Sequence, residues 1–271
     1  MTAGPLEVFR PGLLAGRVAV VTGGGTGLGA AIAAAFAGLG ARVAVLSRRP
    51  EHVQRSAADI TAAGGDALAV TCDVRDPDQV GAAVDQVIAA FGGVDILVNC
   101  AAGNFVCPAA DLSPNGWRTV VDIDLNGTFL CSRAVVGPMR ERGGGVILNV
   151  TASFTDAHSE GMAHAGAAKA GIEHLSRTLA KEWGPLGIRV NSLAPGPFVT
   201  VGSAEMLGGA EAFAAMAATL PLRRAGTHAE LAAAAVFLVC DAASYITGAT
   251  IRVDGGHSFS GYRNGAVVPP P

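Results

Sequence analysis

The chain has 271 residues, of which 50% are apolar and 15% are charged, and its formal net charge is −3. This balance excludes the basic surface that nucleic acids need and the polybasic patch that binds membranes, so we expect a small-molecule ligand. Five scattered cysteines without a C-x-x-C pair predict free thiols in a reducing compartment. The N-terminus lacks a basic region followed by an apolar one, and the C-terminus is no peroxisomal address, so the expected location is the cytoplasm. No stretch suggests a membrane span or a metal site.

Short apolar runs alternate with helical segments, which predicts a single α/β domain, residues 1–271, with the doubly wound parallel sheet of a Rossmann fold. The first strand begins at Val18, and the others are predicted at residues 42–47, 67–72, 94–99, 145–150, 189–193 and 250–253. A helix follows the first strand, and further helices are predicted at 51–63, 78–91, 117–139, 169–183 and 228–240. We also expect an N-terminal extension at 1–15, a mobile helical excursion near the substrate at 198–224, and a flexible tail at 260–271.

A glycine-rich turn joins the first strand to an alanine-rich helix, and it reads T-G-G-G-T-G-L-G from Thr22. Glycines at such a junction allow a tight turn and a close approach of the backbone to a ligand. The helix start offers unpaired N–H groups and a positive dipole end, which suit a pyrophosphate. The turn therefore predicts dinucleotide binding. The predicted contacts within it are Gly23, Gly25, Thr26, Gly27, Leu28 and Gly29.

The position just after the second strand selects the cofactor. A carboxylate there accepts a hydrogen bond from the ribose, whereas cations accommodate a 2′-phosphate. Ser47, Arg48 and Arg49 occupy this position without a carboxylate, which favours NADP(H), although two solvated arginines at a helix start are the alternative. The other predicted cofactor contacts are Asp73 on the adenine side, Val74, Asn99, Ala101, Lys169, Pro195, Gly196 and Phe198.

Several motifs together resemble the short-chain dehydrogenase/reductase superfamily from about residue 16 to residue 259. They are the glycine-rich turn from Thr22, N-C-A-A-G from Asn99, R-V-N-S-L-A-P-G-P from Arg189, and Y-I-T-G from Tyr245 followed by D-G-G from Asp254. The resemblance implies a Rossmann fold and a nicotinamide cofactor. It also implies a homotetramer, with contacts through the helices around residues 117–139 and 169–183.

The usual catalytic tyrosine of this superfamily is missing. It lies four residues before the lysine, where this chain has Ala165 before Lys169, and Ala152 lies near the position of the usual serine. The two tyrosines of the chain, Tyr245 and Tyr262, lie far down the sequence. An alcohol dehydrogenase needs a hydroxyl of lowered pKa to exchange a proton with the substrate oxygen. Ordinary carbonyl reduction is therefore disfavoured.

Reduction of a carbon–carbon double bond conjugated to a thioester needs no such phenol, because the oxygen requires only hydrogen-bond stabilisation as an enolate. Four stretches resemble the 2,4-dienoyl-CoA reductases, especially the peroxisomal form: N-C-A-A-G-N-F-V-C-P from Asn99, L-S-P-N from Leu112, D-I-D from Asp122 and H-A-G-A-A-K from His164. C-D-V-R-D-P-D from Cys72 is similar to the mitochondrial form. The resemblance implies NADPH-dependent reduction of a 2,4-dienoyl-CoA to an enoyl-CoA in fatty-acid β-oxidation, with hydride transfer to the δ-carbon.

This resemblance implies three catalytic residues. Asn104 hydrogen-bonds the thioester oxygen, Asp124 holds the water that delivers the proton, and Lys169 grips the nicotinamide ribose and adds positive charge. Phe154 stands where the mitochondrial form has its active-site tyrosine, which favours the water mechanism of the peroxisomal form. The implied substrate contacts are Phe105 for the acyl chain, Arg48 and Arg75 for the CoA phosphates, and Ser113, Pro114 and Asn115 as a substrate-binding turn.

Other interpretations remain open. His164 is either a proton shuttle in place of Asp124 or a histidine that is merely hydrogen-bonded at a helix start. A trans-2-enoyl-CoA reductase has the same fold and a similar H-x-G-A-A motif, so that activity, or another short-chain oxidoreductase activity, is an alternative. The alternative from another functional class is that this protein is a catalytically inactive relative, which senses NADP(H) or binds a protein partner.

Overall fold

Parallel strands form one seven-stranded sheet in the computed structural model, which describes residues 4–157, 159–200 and 209–259. The strand order is β3-β2-β1-β4-β5-β6-β7, so the winding reverses between β1 and β4. Ligands of such sheets bind at this switch point, beyond the carboxyl ends of the strands. The strands are β1 (Val18–Thr22), β2 (Arg42–Ser47), β3 (Asp66–Thr71), β4 (Ile96–Asn99), β5 (Gly145–Val150), β6 (Ile188–Pro195) and β7 (Thr250–Val253).

Helices pack against both faces of the sheet, which confirms the predicted doubly wound α/β fold. Among the described residues they are α1 (Gly27–Gly38), α2 (Pro50–Ala62), α3 (Pro77–Phe91), α4 (Pro114–Val121), α5 (Gly127–Glu141), α6 (Phe154–Ala157), α7 (Ala163–Trp183), α8 (Ala210–Ala217) and α9 (His228–Val239).

The strands are apolar throughout because both faces of the sheet are covered. Along β1, Ala19 and Val21 enter one core with α1 and α9, whereas Val18 and Val20 enter a second core with α3 and α5. All four side chains are at most 1% exposed. This alternation follows from the two-residue period of a strand, and it anchors the glycine-rich turn on a rigid strand.

The helix predicted over residues 117–139 consists of three consecutive segments. α4 leads into a π-helical turn, Asp122–Asn126, which leads into α5. The Thr128 hydroxyl donates a hydrogen bond to the backbone oxygen of Asp124 at 2.6 Å. A π-turn inserts extra backbone into a helix and is frequent at functional sites. Here it coincides with Asp124, whose side chain is completely buried.

Two further differences lie near the carboxyl ends of β5 and β6. The segment at residues 151–161, for which no strand or helix is predicted, contains the one-turn helix α6. The strand predicted at residues 189–193 continues to Pro195, because Ala194 and Pro195 pair with Arg252 and Val253 of β7. Regular secondary structure therefore extends further at the carboxyl ends of β5 and β6 than the sequence predicts.

The predicted N-terminal extension is packed against the core over its described part. Leu14 is 2% exposed, and Leu6, Phe9 and Leu13 contact the same apolar cluster. Of the predicted excursion at 198–224, residues 201–208 lie outside the described residues, and α8 occupies part of the remainder. The predicted tail at 260–271 lies outside them as well.

All five cysteines are free thiols, as predicted. No helix within the described ranges is long and apolar enough to cross a membrane.

Candidate active site

A cleft of about 180 Å³ lies at the switch point between β1 and β4. It brings together nine of the predicted cofactor contacts from the first four strand ends. These are Gly23, Gly25, Thr26, Ser47, Arg48, Arg49, Asp73, Val74 and Ala101. The remaining lining residues, which the sequence did not single out, are Leu46, His52, Cys72, Ala102 and Ile123.

The glycine-rich turn fits a dinucleotide phosphate. Gly23 has φ +65°, and a Cβ atom on it would lie 2.7 Å from the backbone oxygen of Cys100. A Cβ atom on Gly29 would collide with the backbone oxygen of Gly23. Thr26 begins α1 without a side-chain hydrogen bond to the first turn, so the amides of that turn are left for a ligand. Gly27 and Leu28 belong to this first turn.

The turn is also braced against the neighbouring strand end. Thr22 Oγ1 accepts hydrogen bonds from the backbone N–H groups of Cys100 and Ala101, at 3.0 and 3.1 Å. This contact ties the end of β1 to the turn after β4. The two backbone segments that would flank a nicotinamide cofactor are thereby held together.

Arg48 and Arg49 are exposed at the mouth of the cleft, at the start of α2. The Ser47 hydroxyl donates to the backbone oxygen of Arg49 at 3.2 Å, which fixes the bend between β2 and α2. His52 lies on the first turn of α2 and lines the same end of the cleft. The signal for His52 is its spacing: it follows Arg49 by three residues in R-P-E-H, so the first turn of α2 brings it back to the end of the cleft where the arginines lie.

Asp73 and Arg75, predicted to contact the cofactor and the CoA phosphates respectively, form an ion pair with each other. Arg75 Nη2 lies 2.6 Å from Asp73 Oδ2, and Nε donates to both carboxylate oxygens. The hydrogen bond from the Arg75 guanidinium holds the pKa of the Asp73 carboxyl below its ordinary value. Any phosphate contact of Arg75 would therefore compete with this pair.

Lys169 and Asp124 form a buried ion pair at the carboxyl end of β5. Lys169 Nζ lies 3.1 Å from Asp124 Oδ2 and donates to the backbone oxygen of Val150 at 3.0 Å. Asp124 Oδ1 accepts from the backbone N–H of Gly103 at 2.9 Å. The exposed fractions of the two residues are 5% and 0%. Two of the predicted catalytic residues are thus in direct contact, and one of them binds the turn that follows β4.

A hydrogen-bonded network lies beneath this pair. Ser132 Oγ donates to the backbone oxygen of Thr128 at 2.7 Å and accepts from Asn99 Nδ2 at 3.0 Å. Asn99 Nδ2 also donates to Asn149 Oδ1 at 2.8 Å. The side chain of Asn99, a predicted cofactor contact, therefore belongs to the interior. Since Thr128 in turn binds the backbone of Asp124, the network fixes the π-turn relative to β4 and β5.

The position of the missing phenol is filled by apolar packing. Ala165 is completely buried and belongs to a small cluster with Val120 and Met162, against which Phe154 packs. Tyr245 is fully exposed, and Tyr262 lies outside the described residues. Among the residues that the structure describes, no phenol reaches the site.

His164 and Phe105 meet at the opening of the site. Their ring centroids are 4.5 Å apart in an edge-to-face arrangement, and the imidazole is completely buried. Burial lowers the pKa of His164, whereas the charge of Asp124 and a hydrogen bond to the backbone of Phe105 oppose this shift. Asn104, the third predicted catalytic residue, is exposed beside Phe105.

A second groove, of about 440 Å³, runs along the start of α4 and reaches the residue before His164. Its lining is largely apolar and consists of Ala109, Leu112, Pro114, Trp117, Arg118 and Ala163. The predicted substrate turn forms one side of this groove, with Ser113, Pro114 and Asn115 all exposed. Ser113 also begins α4, because its Oγ accepts from the backbone N–H of Gly116 at 3.0 Å.

The last predicted cofactor contacts follow β6. Gly196 donates its N–H to the backbone oxygen of Val253 at 3.0 Å, directly after Pro195 at the strand end. Phe198 is 4% exposed and pairs with Gly226 through the backbone. These residues lie at the β6 end, and they do not line the cleft at the β1–β4 switch point.

Comparisons with known proteins agree with this geometry. A family model described as enoyl-(acyl carrier protein) reductase matches residues 23–258. A protein of Rattus norvegicus named peroxisomal 2,4-dienoyl-CoA reductase, (3E)-enoyl-CoA-producing, is 45% identical over 252 residues, which cover 92% of this chain and 86% of the relative. A protein of Bacillus subtilis (strain 168), named "Probable 2,4-dienoyl-CoA reductase" and (2E)-enoyl-CoA-producing, is 43% identical over 251 residues, covering 91% and 98%.

Among solved structures, a short chain dehydrogenase from Bacillus anthracis matches with a TM-score of 0.84 and 40% identity, covering 92% of this chain and 100% of that one. The profile, the relatives and the fold point to one family. The chain belongs to the short-chain dehydrogenase/reductase superfamily and is an oxidoreductase that binds a nicotinamide cofactor.

Proposed function

We propose that this protein is an NADPH-dependent 2,4-dienoyl-CoA reductase. The observation that carries the proposal is the buried Asp124–Lys169 pair, together with the absence of the usual phenol, whose position is occupied by Ala165. A site with charged groups but without an acidic hydroxyl suits protonation on carbon better than protonation of a carbonyl oxygen. The names of the similar proteins from rat and Bacillus subtilis support the same reaction.

The residues of the first cleft are suited to NADPH. When bound, this cofactor supplies the hydride that adds to the δ-carbon of the dienoyl thioester. The amides at the start of α1 would bind its pyrophosphate, and Arg48 and Arg49 would bind the 2′-phosphate. Lys169 would hold the nicotinamide ribose.

The chain's own contribution to the reaction has two parts. Asn104 would donate a hydrogen bond to the thioester oxygen and so stabilise the dienolate, while the charge of Lys169 favours this negative species. Asp124 would hold the water that gives a proton to the dienolate carbon. Asp124 is suited to this task because Lys169 and Gly103 fix its carboxylate from two sides.

The apolar groove beside α4 is suited to the thioester substrate. Phe105, which is 42% exposed, would contact the acyl chain next to the reacting atoms. The turn at Ser113, Pro114 and Asn115 would contact the pantetheine part, and Arg48 and Arg75 would bind CoA phosphates. We assign the protein to an auxiliary step of fatty-acid β-oxidation, because the similar proteins from rat and Bacillus subtilis are named as 2,4-dienoyl-CoA reductases.

The rival activity is reduction of a trans-2-enoyl thioester, which the description of the matching family model favours. The two are separated by comparing hexa-2,4-dienoyl-CoA with hex-2-enoyl-CoA at equal concentration. We expect NADPH oxidation with the dienoyl thioester and little with the monoenoyl one. Faster turnover of the monoenoyl substrate would favour the rival, and cofactor binding without turnover of either would favour an inactive sensor.

We further propose a homotetramer. Trp117 on α4 and Phe129 on α5 are 40% and 42% exposed, which leaves apolar surface on the helices expected to contact other subunits. Light scattering after size-exclusion chromatography tests this, and a monomeric mass would contradict it.

A further inference from the structure

The apolar groove beside α4 contains one charged side chain. Five of the six described residues that line it are apolar, and the sixth is Arg118. Arg118 follows Pro114 by four positions on α4, and Trp117 follows Pro114 by three, so the three residues lie on one side of the helix. An exposed guanidinium therefore accompanies the apolar lining, about one helix turn after the helix begins.

Arg118 has no counter-ion within the part of the chain that the structure describes. None of the ion pairs found there includes its guanidinium. The next carboxylate along the chain, Asp122, accepts a hydrogen bond from Asn126 Nδ2 at 2.7 Å. A cation that no carboxylate neutralises raises the local positive potential and attracts an anionic ligand to the groove.

The phosphates of a CoA thioester require such a cation. Of the two arginines assigned to them above, Arg75 is held by Asp73 through three side-chain hydrogen bonds. Arg48 is assigned to the 2′-phosphate of NADPH as well, and it lines the cofactor cleft. Neither arginine is therefore fully available to the thioester, whereas Arg118 lines the substrate groove itself.

The other side chains of the groove match the arm that carries an acyl thioester. A phosphopantetheine arm has two amides, a pair of methyl groups and a terminal phosphate. Leu112 and Trp117 offer apolar surface to the methyl groups, and the exposed Ser113 and Asn115 side chains beside them offer hydrogen-bonding groups to the amides. The guanidinium of Arg118 offers the phosphate several donors in a planar fork. Three kinds of group on the arm thus have partners in one groove.

We propose that Arg118 binds the phosphate of the phosphopantetheine arm, so that the groove selects substrates by the carrier of the thioester. The inference rests on the proposed thioester reduction and deepens it. CoA and acyl carrier proteins share this arm, so the site recognises what the two carriers have in common. The reacting atoms lie at Asp124 and Lys169, so the contact stabilises ground state and transition state alike and acts on KM rather than on kcat.

The test varies the carrier and the residue together. Hexa-2,4-dienoyl thioesters of pantetheine, 4′-phosphopantetheine and CoA are offered with NADPH to wild type, R118Q, R118K and R140Q. R140Q is the matched control, because Arg140 is exposed in the last turn of α5, which ends shortly before β5 begins and so at the opposite edge of the sheet. Light scattering must first show the same mass for all four proteins.

The expected result is a loss confined to the phosphate. For wild type and R140Q, we expect KM to fall about 10- to 100-fold from the pantetheine to the phosphopantetheine thioester, which is the effect of a hydrogen bond to a charged group. R118Q should lose this gain, and R118K should retain part of it, because lysine keeps the charge without the planar fork. The KM of the pantetheine thioester and the KM of NADPH should be the same in R118Q as in wild type.

Three outcomes would overturn the inference. The first is the same gain from the phosphate in R118Q as in wild type. The second is a gain that first arises between the phosphopantetheine and CoA thioesters, because a different phosphate would then be recognised. The third is a KM of the pantetheine thioester that rises in R118Q as much as that of the phosphopantetheine thioester, because the residue would then have a merely structural role.

The source of the arm is identified by offering the same dienoyl group on CoA and on an acyl carrier protein. The carrier with the lower KM in wild type is the preferred one, and R118Q must raise this KM about 10- to 100-fold. If wild type reduces neither thioester, the proposed function fails by itself. Calorimetry then compares hexanoyl-phosphopantetheine with hexanoyl-pantetheine: wild type must bind the first more tightly, and R118Q must bind both equally. Equal affinities in wild type would refute the phosphate site.

Discussion

Lys169 Nζ lies 3.1 Å from Asp124 Oδ2 in a place where both side chains are almost completely buried. The two charges offset each other's desolvation, and each also binds backbone, Lys169 at Val150 and Asp124 at Gly103. The pair thereby connects α7, β5, the π-turn and the turn after β4. Removing one charge leaves the other buried without a counter-ion.

The variant D124N should destabilise the protein and stop the proposed reaction. Breaking a buried ion pair by removing one partner costs about 3–5 kcal/mol, and the loss of an acid–base group lowers kcat on the order of 10²- to 10⁴-fold. Urea unfolding measures the first effect, and NADPH oxidation with a dienoyl thioester measures the second. The double variant D124N/K169M should recover part of the stability, because no charge is left unpaired, without recovering activity. A double variant no more stable than D124N would contradict the pairing.

The glycine turn can be tested with two substitutions on one helix. In G29A the new Cβ collides with the backbone oxygen of Gly23, so we expect the turn to open and NADPH binding to be lost. In G38A the Cβ meets no atom within 4 Å, so α1 should be unaffected or more stable by about 0.5–1 kcal/mol. Fluorescence titration with NADPH measures binding for both. Equal affinities would show that the close packing at Gly29 does not matter.

Arg48 should determine the preference for NADPH. Removing one hydrogen bond to a charged group loses about 1.5–3 kcal/mol, so R48A should weaken NADPH binding about 10- to 100-fold and leave NADH binding unchanged. The control is R55A, because Arg55 is exposed on α2 and does not line the cleft. The dissociation constants of NADPH and NADH are compared for wild type, R48A and R55A. A parallel loss of NADPH and NADH affinity would argue against a 2′-phosphate contact.

His164 should make stability depend on pH below neutrality. Burial lowers its pKa in the folded state beneath the ordinary value of 6.5, so on acidification the unfolded chain takes up a proton that the folded protein refuses. The free energy of unfolding therefore falls as the pH drops below 6.5, by at most about 1.4 kcal/mol per pH unit from this group. Urea unfolding between pH 7.5 and 5.5 should give a shallower decline for H164F than for wild type. Identical slopes would show that His164 titrates normally.

The sheet and the phosphate turn could be predicted because they depend on local sequence. The apolar runs of β1 and β2 indicate buried strands by their own pattern. The glycines from Gly23 to Gly29 indicate a tight turn, because the backbone there leaves little room for side chains. The cofactor residues at four successive strand ends converge, because parallel strands deliver their carboxyl ends to one edge. No long-range information is needed for either result.

The contacts between distant segments could not be predicted in the same way. Asp124 and Lys169 are 45 positions apart, and the π-turn that accompanies the burial of Asp124 does not interrupt the helical pattern of the sequence. The Asp73–Arg75 pair is not predicted either, because their spacing in the sequence does not show whether the two side chains bind each other or a ligand. The sequence leaves His164 open between a proton shuttle and a hydrogen-bonded residue at a helix start, because it does not reveal that the imidazole is completely buried against Phe105.

The most direct test offers the purified protein two CoA thioesters that differ in the group to be reduced. With NADPH in excess, hexa-2,4-dienoyl-CoA presents a conjugated double bond, and acetoacetyl-CoA presents a ketone. Because Ala165 replaces the phenol, the protein should oxidise NADPH with hexa-2,4-dienoyl-CoA and leave acetoacetyl-CoA unreacted. Steady reduction of acetoacetyl-CoA, with the dienoyl thioester untouched, would contradict the account.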